Sequence, residues 1–228
     1  MVKREYNTID RIGQKGEGGS LLTSKFFNLD EQKQLRILNA AIYEFAQKGY
    51  DQASTNGIVK SAGISKGLLF HYFKSKKDLY LFLHQHFVEV LKTEFFSELQ
   101  LDEPDVFVRI KNIMMMKSQM MKKHPEIFNF LMSAYMENSS EVKHELDHNH
   151  HALMHSSYAK ILEDIDQTKF REGVDMNRAV QIVFWVLEGF SNQVLEKTKL
   201  LAQSNNGLTD EFTEADVYIE MLKKAFYK

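Results

Sequence analysis

Apolar residues recur at helical spacing through nearly all of the chain beyond residue 29, and no stretch alternates with period two for long enough to make a strand. In the first such segment Leu35, Leu38, Ile42 and Phe45 follow at intervals of three, four and three, while Arg36, Asn39 and Glu44 fall off the stripe. Gly49 can take a left-handed conformation, Tyr50 can supply the hydrophobic contact that closes a Schellman ending, and Lys48 suits the negative end of the dipole. The pattern therefore predicts a helix over 30–48. Ser54 is a good N-cap for a short second helix with Ile58, Val59 and Ala62 inward and Gly63 as its end. Ser65 then caps a third, with Leu69, Phe70 and Phe73 facing back. Longer helices are predicted over 76–99, 104–123, 126–137, 140–166, 176–203 and 213–227, and both prolines, Pro104 and Pro125, stand where helices begin. The expectation is an all-α fold of about nine helices.

Two short helices joined by a tight Gly-Ile turn form a helix-turn-helix, whose second helix enters the major groove of DNA. That arrangement accounts for the aromatics and lysines crowded into "AGISKGLLFHYFKSKKDLY", residues 62–80. The inward aromatics hold the short helix rigid, leaving Lys66, Gly67, Leu68, His71 and Tyr72 on its exposed side or edge. Gly67 lets the backbone approach bases or phosphates closely, and Lys66 offers a donor to guanine edges or phosphate. Lys74 and Lys76 flank the helix as candidate phosphate clamps, Lys76 near a helix N-terminus that itself favours anions.

Charge is divided unevenly. Residues 25–78 hold nine Lys/Arg against five Asp/Glu, a net +4; residues 1–24 carry +1, which leaves −7 for 79–228 in a chain of net charge −2. A basic module followed by an acidic body places a polyanion partner at one end. Residues 1–24, with four glycines between 13 and 19, read as a flexible tail. Absence of cysteine excludes disulfides, Cys-ligated zinc and thiol chemistry. The first residues lack the apolar stretch of a signal peptide, and the longest apolar run, "IVFWVL" at 182–187, is too short for a bilayer, so a soluble cytoplasmic protein without a membrane partner is expected. No paired-carboxylate, Ser/His/Asp or phosphate-cradling motif stands out, so neither an enzyme nor a cofactor is expected.

Residues 36–80, "RILNAAIYEFAQKGYDQASTNGIVKSAGISKGLLFHYFKSKKDLY", resemble the DNA-binding region of the TetR family of transcriptional regulators. The resemblance lies in the first-helix ending F-A-x-K-G-Y, then I-V-K-x-A-G-I-S-K-G and H-Y-F-K-S-K-x-D-L. It implies that Thr55, Lys66, Gly67, Leu68, His71, Tyr72 and Lys76 fall where family members touch double-stranded operator DNA. It also implies a helix-turn-helix domain over 25–78 and a larger helical ligand-binding and dimerisation domain over 79–228. The function implied is a ligand-responsive regulator, a repressor released from a palindromic operator by a small apolar effector. Departures from the family pattern are Phe70 in place of a common Tyr, Leu68 in place of a small polar residue, Val59 in place of Ala, and Gly57 inside the second helix.

The acidic body agrees with that division. Ile182 to Leu187 are apolar all round, so this helix needs cover on every side, with one face for its own domain and another for a partner copy. Helix 213–227, with Val217, Met221, Leu222, Ala225 and Phe226, would complete a homodimer interface with 176–203. Helices 104–137 are rich in methionine (Met114, Met115, Met116, Met120, Met121, Met132 and Met136), whose flexible thioethers suit either plain core or a pocket for varied apolar ligands. Candidate pocket residues are Met114, Phe128, Met132, His151, His155, Trp185 and Glu188. His144, His148, His151 and His155 recur at intervals of four, three and four, and such a stripe can chelate a divalent ion. The alternative function is therefore a metal-binding helical protein or metal-responsive regulator. A di-iron bundle would need E-x-x-H on a second helix, which the chain lacks, and a polar stripe at a helix seam or pocket wall is the favoured reading of these histidines.

Overall fold

The computed structural model describes residues 25–99, 102–200 and 208–228, without the side chains of 155, 156, 195–200 and 208–213. The tail expected over 1–24 lies outside the described residues, as does the end of the helix expected to reach 203. The helices are α1 (Glu31–Gln52), α2 (Thr55–Ala62), α3 (Lys66–Tyr72), α4 (Lys76–Glu98), α5 (Val106–Lys123), α6 (Pro125–Tyr135), α7 (Lys143–Ile161), α8 (Met176–Leu200) and α9 (Leu208–Phe226). The all-α class is as read from the sequence. Extended pairing among the described residues is confined to a single antiparallel bridge, Phe170 to Tyr227.

The chain divides into two compact units. One takes in the described residues up to Glu98 together with Lys117–Ser156; the other comprises Leu99–Met116 and Ser157–Lys228. In the first, α1 packs against α2, α4 and α6, and α4 also meets α6. Its centre is aromatic: Phe45 lies 4.8 Å from Tyr80, and Tyr80 5.5 Å from Phe130, both edge-on between ring centroids. These three rings are fully buried, and large flat side chains locked edge-to-face leave their helices little freedom to slide.

The second unit is built on α8 and α9, with Val106, Phe107, Ile110, Phe170, Val180, Val183, Ile219 and Tyr227 in one core. Here the stretch left between the helices expected over 140–166 and 176–203 proves to be structural, because Phe170 is buried and pairs with Tyr227. The Tyr227 hydroxyl donates at 3.0 Å to Asp105, a buried carboxylate that also meets Lys169 at 2.9 Å. Arg109, fully buried, donates at 2.8–2.9 Å to the carbonyls of Glu103, Ile161 and Glu163, which satisfies the last turn of α7. Asp105 also caps α5 by accepting from the Phe107 and Val108 N–H groups, but the partners Tyr227 and Lys169 of Asp105, and Ile161 and Glu163 of Arg109, lie far along the chain and are not marked in the sequence.

Candidate nucleic-acid interface

The helix-turn-helix forms from local signals. Ser54 accepts from the Gly57 N–H at 3.4 Å and starts α2; Gly63, at φ 66° and ψ 40°, ends it; Ser65 accepts from the Leu68 N–H at 3.1 Å and starts α3. Gly57 has a use that offsets its poor helix propensity. A Cβ there would lie 3.2 Å from the Glu44 carboxylate, which accepts from the Ser54 N–H at 2.9 Å and from Lys48 at 2.7 Å, so α1 and α2 are joined through the space a side chain would fill. Burial would raise the pKa of Glu44, but Lys48 and the Ser54 N–H outweigh it and hold the carboxyl below its usual value. Lys48 therefore serves its own helix through Glu44.

Lys66, Gly67, His71 and Lys74 share the solvent side of α3 and its C-terminal end, with Leu68, and Thr55 at the start of α2, half-buried beside them. A Cβ at Gly67 would meet nothing within 4 Å, so the helix backbone is open to a ligand's approach there. Two inward positions differ from the expected ones. Phe70 is only half-buried, beneath the Lys66 ammonium at 6.0 Å from the ring centroid, whereas Tyr72 is buried. The reason is Phe26, which is fully buried and contacts Tyr72 at 5.9 Å, Phe73 at 5.2 Å and Phe82 at 5.6 Å between ring centroids. The turn bearing Phe26 is itself tied down, because the Gln34 amide donates to the Phe27 and Leu29 carbonyls at 3.1 and 2.8 Å.

Lys76 is placed otherwise than expected for a phosphate clamp. Its ammonium donates to the Tyr50 and Asp51 carbonyls at 2.8 and 3.1 Å and lies 4.4 Å from the Tyr50 ring centroid, so its charge is directed at the end of α1. Lys77 pairs with Glu145 at 2.6 Å. Lys66 and Lys74 are left as the exposed cations of α3 and the turn after it.

The candidate effector residues are divided between the two units. Met114 is partly buried and packs onto the core of the second unit. Phe128 and Met132 are half-buried on α6, and His151 is exposed. Trp185 is 61% exposed and Glu188 is exposed too, so both face outward from α8 instead of lining a cavity in their unit; the His155 side chain lies outside the described residues. An open cleft of about 660 Å³ in the second unit is lined by other residues, among them Phe170, Arg171, Asp175 and Lys228. Among the described residues no group of three or more His, Asp or Glu is arranged to hold a metal ion, and none of the helices is long and apolar enough to cross a membrane. His144, His148 and His151 instead stand exposed along α7.

Known proteins share this architecture. The family described as "Bacterial regulatory proteins, tetR family" matches residues 37–82. The chain is 23% identical over 186 residues to the fatty acid metabolism regulator protein of Bacillus subtilis, a match spanning 77% of this chain and 92% of that one. It is 42% identical over 45 residues to a biofilm-operon negative transcriptional regulator of Staphylococcus aureus, covering 20% of this chain and 24% of the relative. Among solved structures, a TetR family transcriptional regulator from Chloroflexus aurantiacus aligns over 90% of this chain and 98% of its own, with a TM-score of 0.61 and 25% identity. The efflux-pump repressor SmeT of Stenotrophomonas maltophilia, at 16% identity, shares the fold over 87% of this chain and 93% of its own, with a TM-score of 0.63.

Proposed function

The chain belongs to the TetR family of transcriptional regulators by its residues 37–82 and its fold, and from that premise we propose that it is a dimeric repressor whose hold on a palindromic operator is released by a small apolar effector. The observation that carries the DNA reading is the face of α3: Lys66, Gly67, His71 and Lys74 stand exposed on a seven-residue helix whose other side is fixed by Leu69, Tyr72 and Phe73. A rigid helix with cations and an open glycine on its outer side can enter a major groove and hold its register there. Thr55 and Leu68 border this face. We assign the reading function to 25–78 and effector binding and dimerisation to 79–228, a division by task that differs from the two packing units.

Dimerisation has its own support. Ile182 and Trp185 on α8, and Val217 and Met221 on α9, are 38%, 61%, 47% and 62% exposed, at spacings of three and four on two helices that pack together. Large apolar side chains grouped at helical spacing on adjoining helices call for cover, and a second copy supplies it with two-fold symmetry. Half-site spacing on DNA then follows from the dimer.

For the effector, Met120, Met121 and Met132 with half-buried Phe128, all in the first unit, supply adaptable apolar lining. The Bacillus subtilis relative is named for the regulation of fatty acid metabolism, which makes fatty acids and their acyl derivatives the first probes. Sequencing of DNA fragments selected by the purified protein, followed by footprinting, should return one palindromic site, and an acyl probe should weaken its binding. Equal affinity for selected and random DNA would refute the regulator reading; a site insensitive to every acyl probe would refute the acyl effector.

A further inference from the structure

Tyr50 is held at every polar atom it owns. Its backbone N–H donates at 2.7 Å to Glu137, its hydroxyl donates at 2.7 Å to Glu141, and its carbonyl accepts from Lys76 at 2.8 Å. The side chain is 1% exposed and the Lys76 ammonium covers the ring. Both carboxylates come from the connection between α6 and α7, about ninety residues further along the chain. The other oxygen of Glu137 accepts from the N–H groups of Asn138 and Ser139 at 2.9 Å each, so that carboxylate is aimed by its own turn.

Gly49 makes the contact possible. It adopts φ 68° and ψ −179°, a conformation that only glycine takes readily, and a Cβ there would lie 3.2 Å from the same Glu137 oxygen. The helix therefore does not close in the Schellman ending its sequence predicts. It kinks at Gly49 and resumes to Gln52, presenting the Tyr50 N–H to Glu137. Two residues beyond Gln52, Ser54 caps α2. The point where α2 and α3 leave α1 is thus fixed from the α6–α7 connection.

We infer that Glu137 and Glu141 form a latch on Tyr50 through which the α6–α7 connection sets where α3 is presented, and that this latch is a control point for DNA affinity; the second clause rests on the DNA reading above. Lys77 at the start of α4 and Glu145 at the start of α7 form a further tie, weaker because it is more exposed. A hydrogen bond from a buried phenol to a carboxylate is charge-assisted, and burial and then the neighbouring Glu141 carboxylate push the pKa of the Tyr50 hydroxyl up, so it remains a donor.

The chain contains no cysteine, so Ser61→Cys on α2 and Thr93→Cys on α4, both exposed, can carry a pair of spin labels without interference. Labelled full-length chains diluted into unlabelled protein would report the α2 to α4 distance without DNA. Tyr50→Phe and Glu141→Ala should each broaden or shift that distance in protein that still melts cooperatively, and the double variant should match either single one. Affinity for selected DNA should fall about tenfold in each, with the salt dependence unchanged because no phosphate contact is lost. An unchanged distance distribution in folded variants overturns the latch, whatever happens to their melting temperature. An altered distance with unaltered DNA affinity overturns its role in DNA binding, and an absence of specific DNA binding by the wild type would instead count against the regulator reading.

Discussion

Phe26 and Tyr72 meet edge-on with ring centroids 5.9 Å apart, a contact between the first described turn of the chain and the last residue of α3. Because Phe26 is fully buried and also touches Phe73 and Phe82, it forms the wall against which α3 is seated. Phe26→Ala should cost about 3–5 kcal/mol of stability, as truncations of buried phenylalanines do. Phe27→Ala should cost less, since that ring is half-buried. Thermal melts of the two variants test the difference, and near-equal losses would show that the wall is not Phe26.

The lysines should separate by salt dependence. Lys66 and Lys74 are exposed, and Lys66→Ala or Lys74→Ala should reduce the slope of log affinity against log salt by about one each. Lys76 is committed to the Tyr50 and Asp51 carbonyls, so Lys76→Met should lower stability and affinity while leaving the slope near the wild-type value. His71→Ala should change which base is preferred in fragment selection. A slope unmoved by Lys66→Ala would remove that side chain from the interface.

How far the sequence speaks depends on the range of the interaction. Ser54, Gly63 and Ser65 act on neighbours three or four residues away, and each does what its residue type predicts. The end of α1 could not be read this way, because the backbone at Gly49 and Tyr50 answers to Glu137, 87 residues from Tyr50. For a helix of seven residues, periodicity could not choose between Phe70 and Tyr72 as the inward ring; Phe26, outside the helix-turn-helix, decided it. The all-apolar stretch 182–187 signalled a need for cover on all sides, but only packing separates Val183, buried in its own unit, from Trp185, which is not.

Acid should destabilise the first unit before its carboxylates titrate. His84 and His86 on α4 each have a buried ring nitrogen without a hydrogen-bond partner, and their pKa values are pushed down to about 4, by burial for both and additionally by His150 for His84. Between pH 6.5 and 4 the unfolded chain takes up protons that these folded imidazoles refuse, so stability falls as pH falls, by at most about 3 kcal/mol for each. Glu94, held below its usual value by Lys123 and His124 against the opposing effect of burial, loses its contribution only as pH drops below 4.5. His86 stacks on Phe82 with 10° between the ring planes, so His86→Phe should keep the packing and flatten the decline in melting temperature between pH 7.5 and 4.5. Parallel declines in wild type and variant would show that His86 is not a source of the acid sensitivity.

Trp185 is the chain's single tryptophan, and its fluorescence therefore reports directly on the face proposed to be shared between copies. Within one chain it is 61% exposed, so a monomer should emit at long wavelength; a dimer that covers it should emit at shorter wavelength and shift red on dilution. Ile182→Asp or Met221→Asp, at positions exposed in the single chain, should separate the copies with little loss of monomer stability, because the charge stays in water until association would bury it. Val183→Asp is different: that side chain is fully buried, and a charge there should cost several kcal/mol and unfold the second unit whether or not a partner is present. Sedimentation at micromolar concentration distinguishes the two classes of variant. A folded wild-type monomer with long-wavelength emission that dilution leaves unchanged would mean that α8 and α9 keep their apolar face in water.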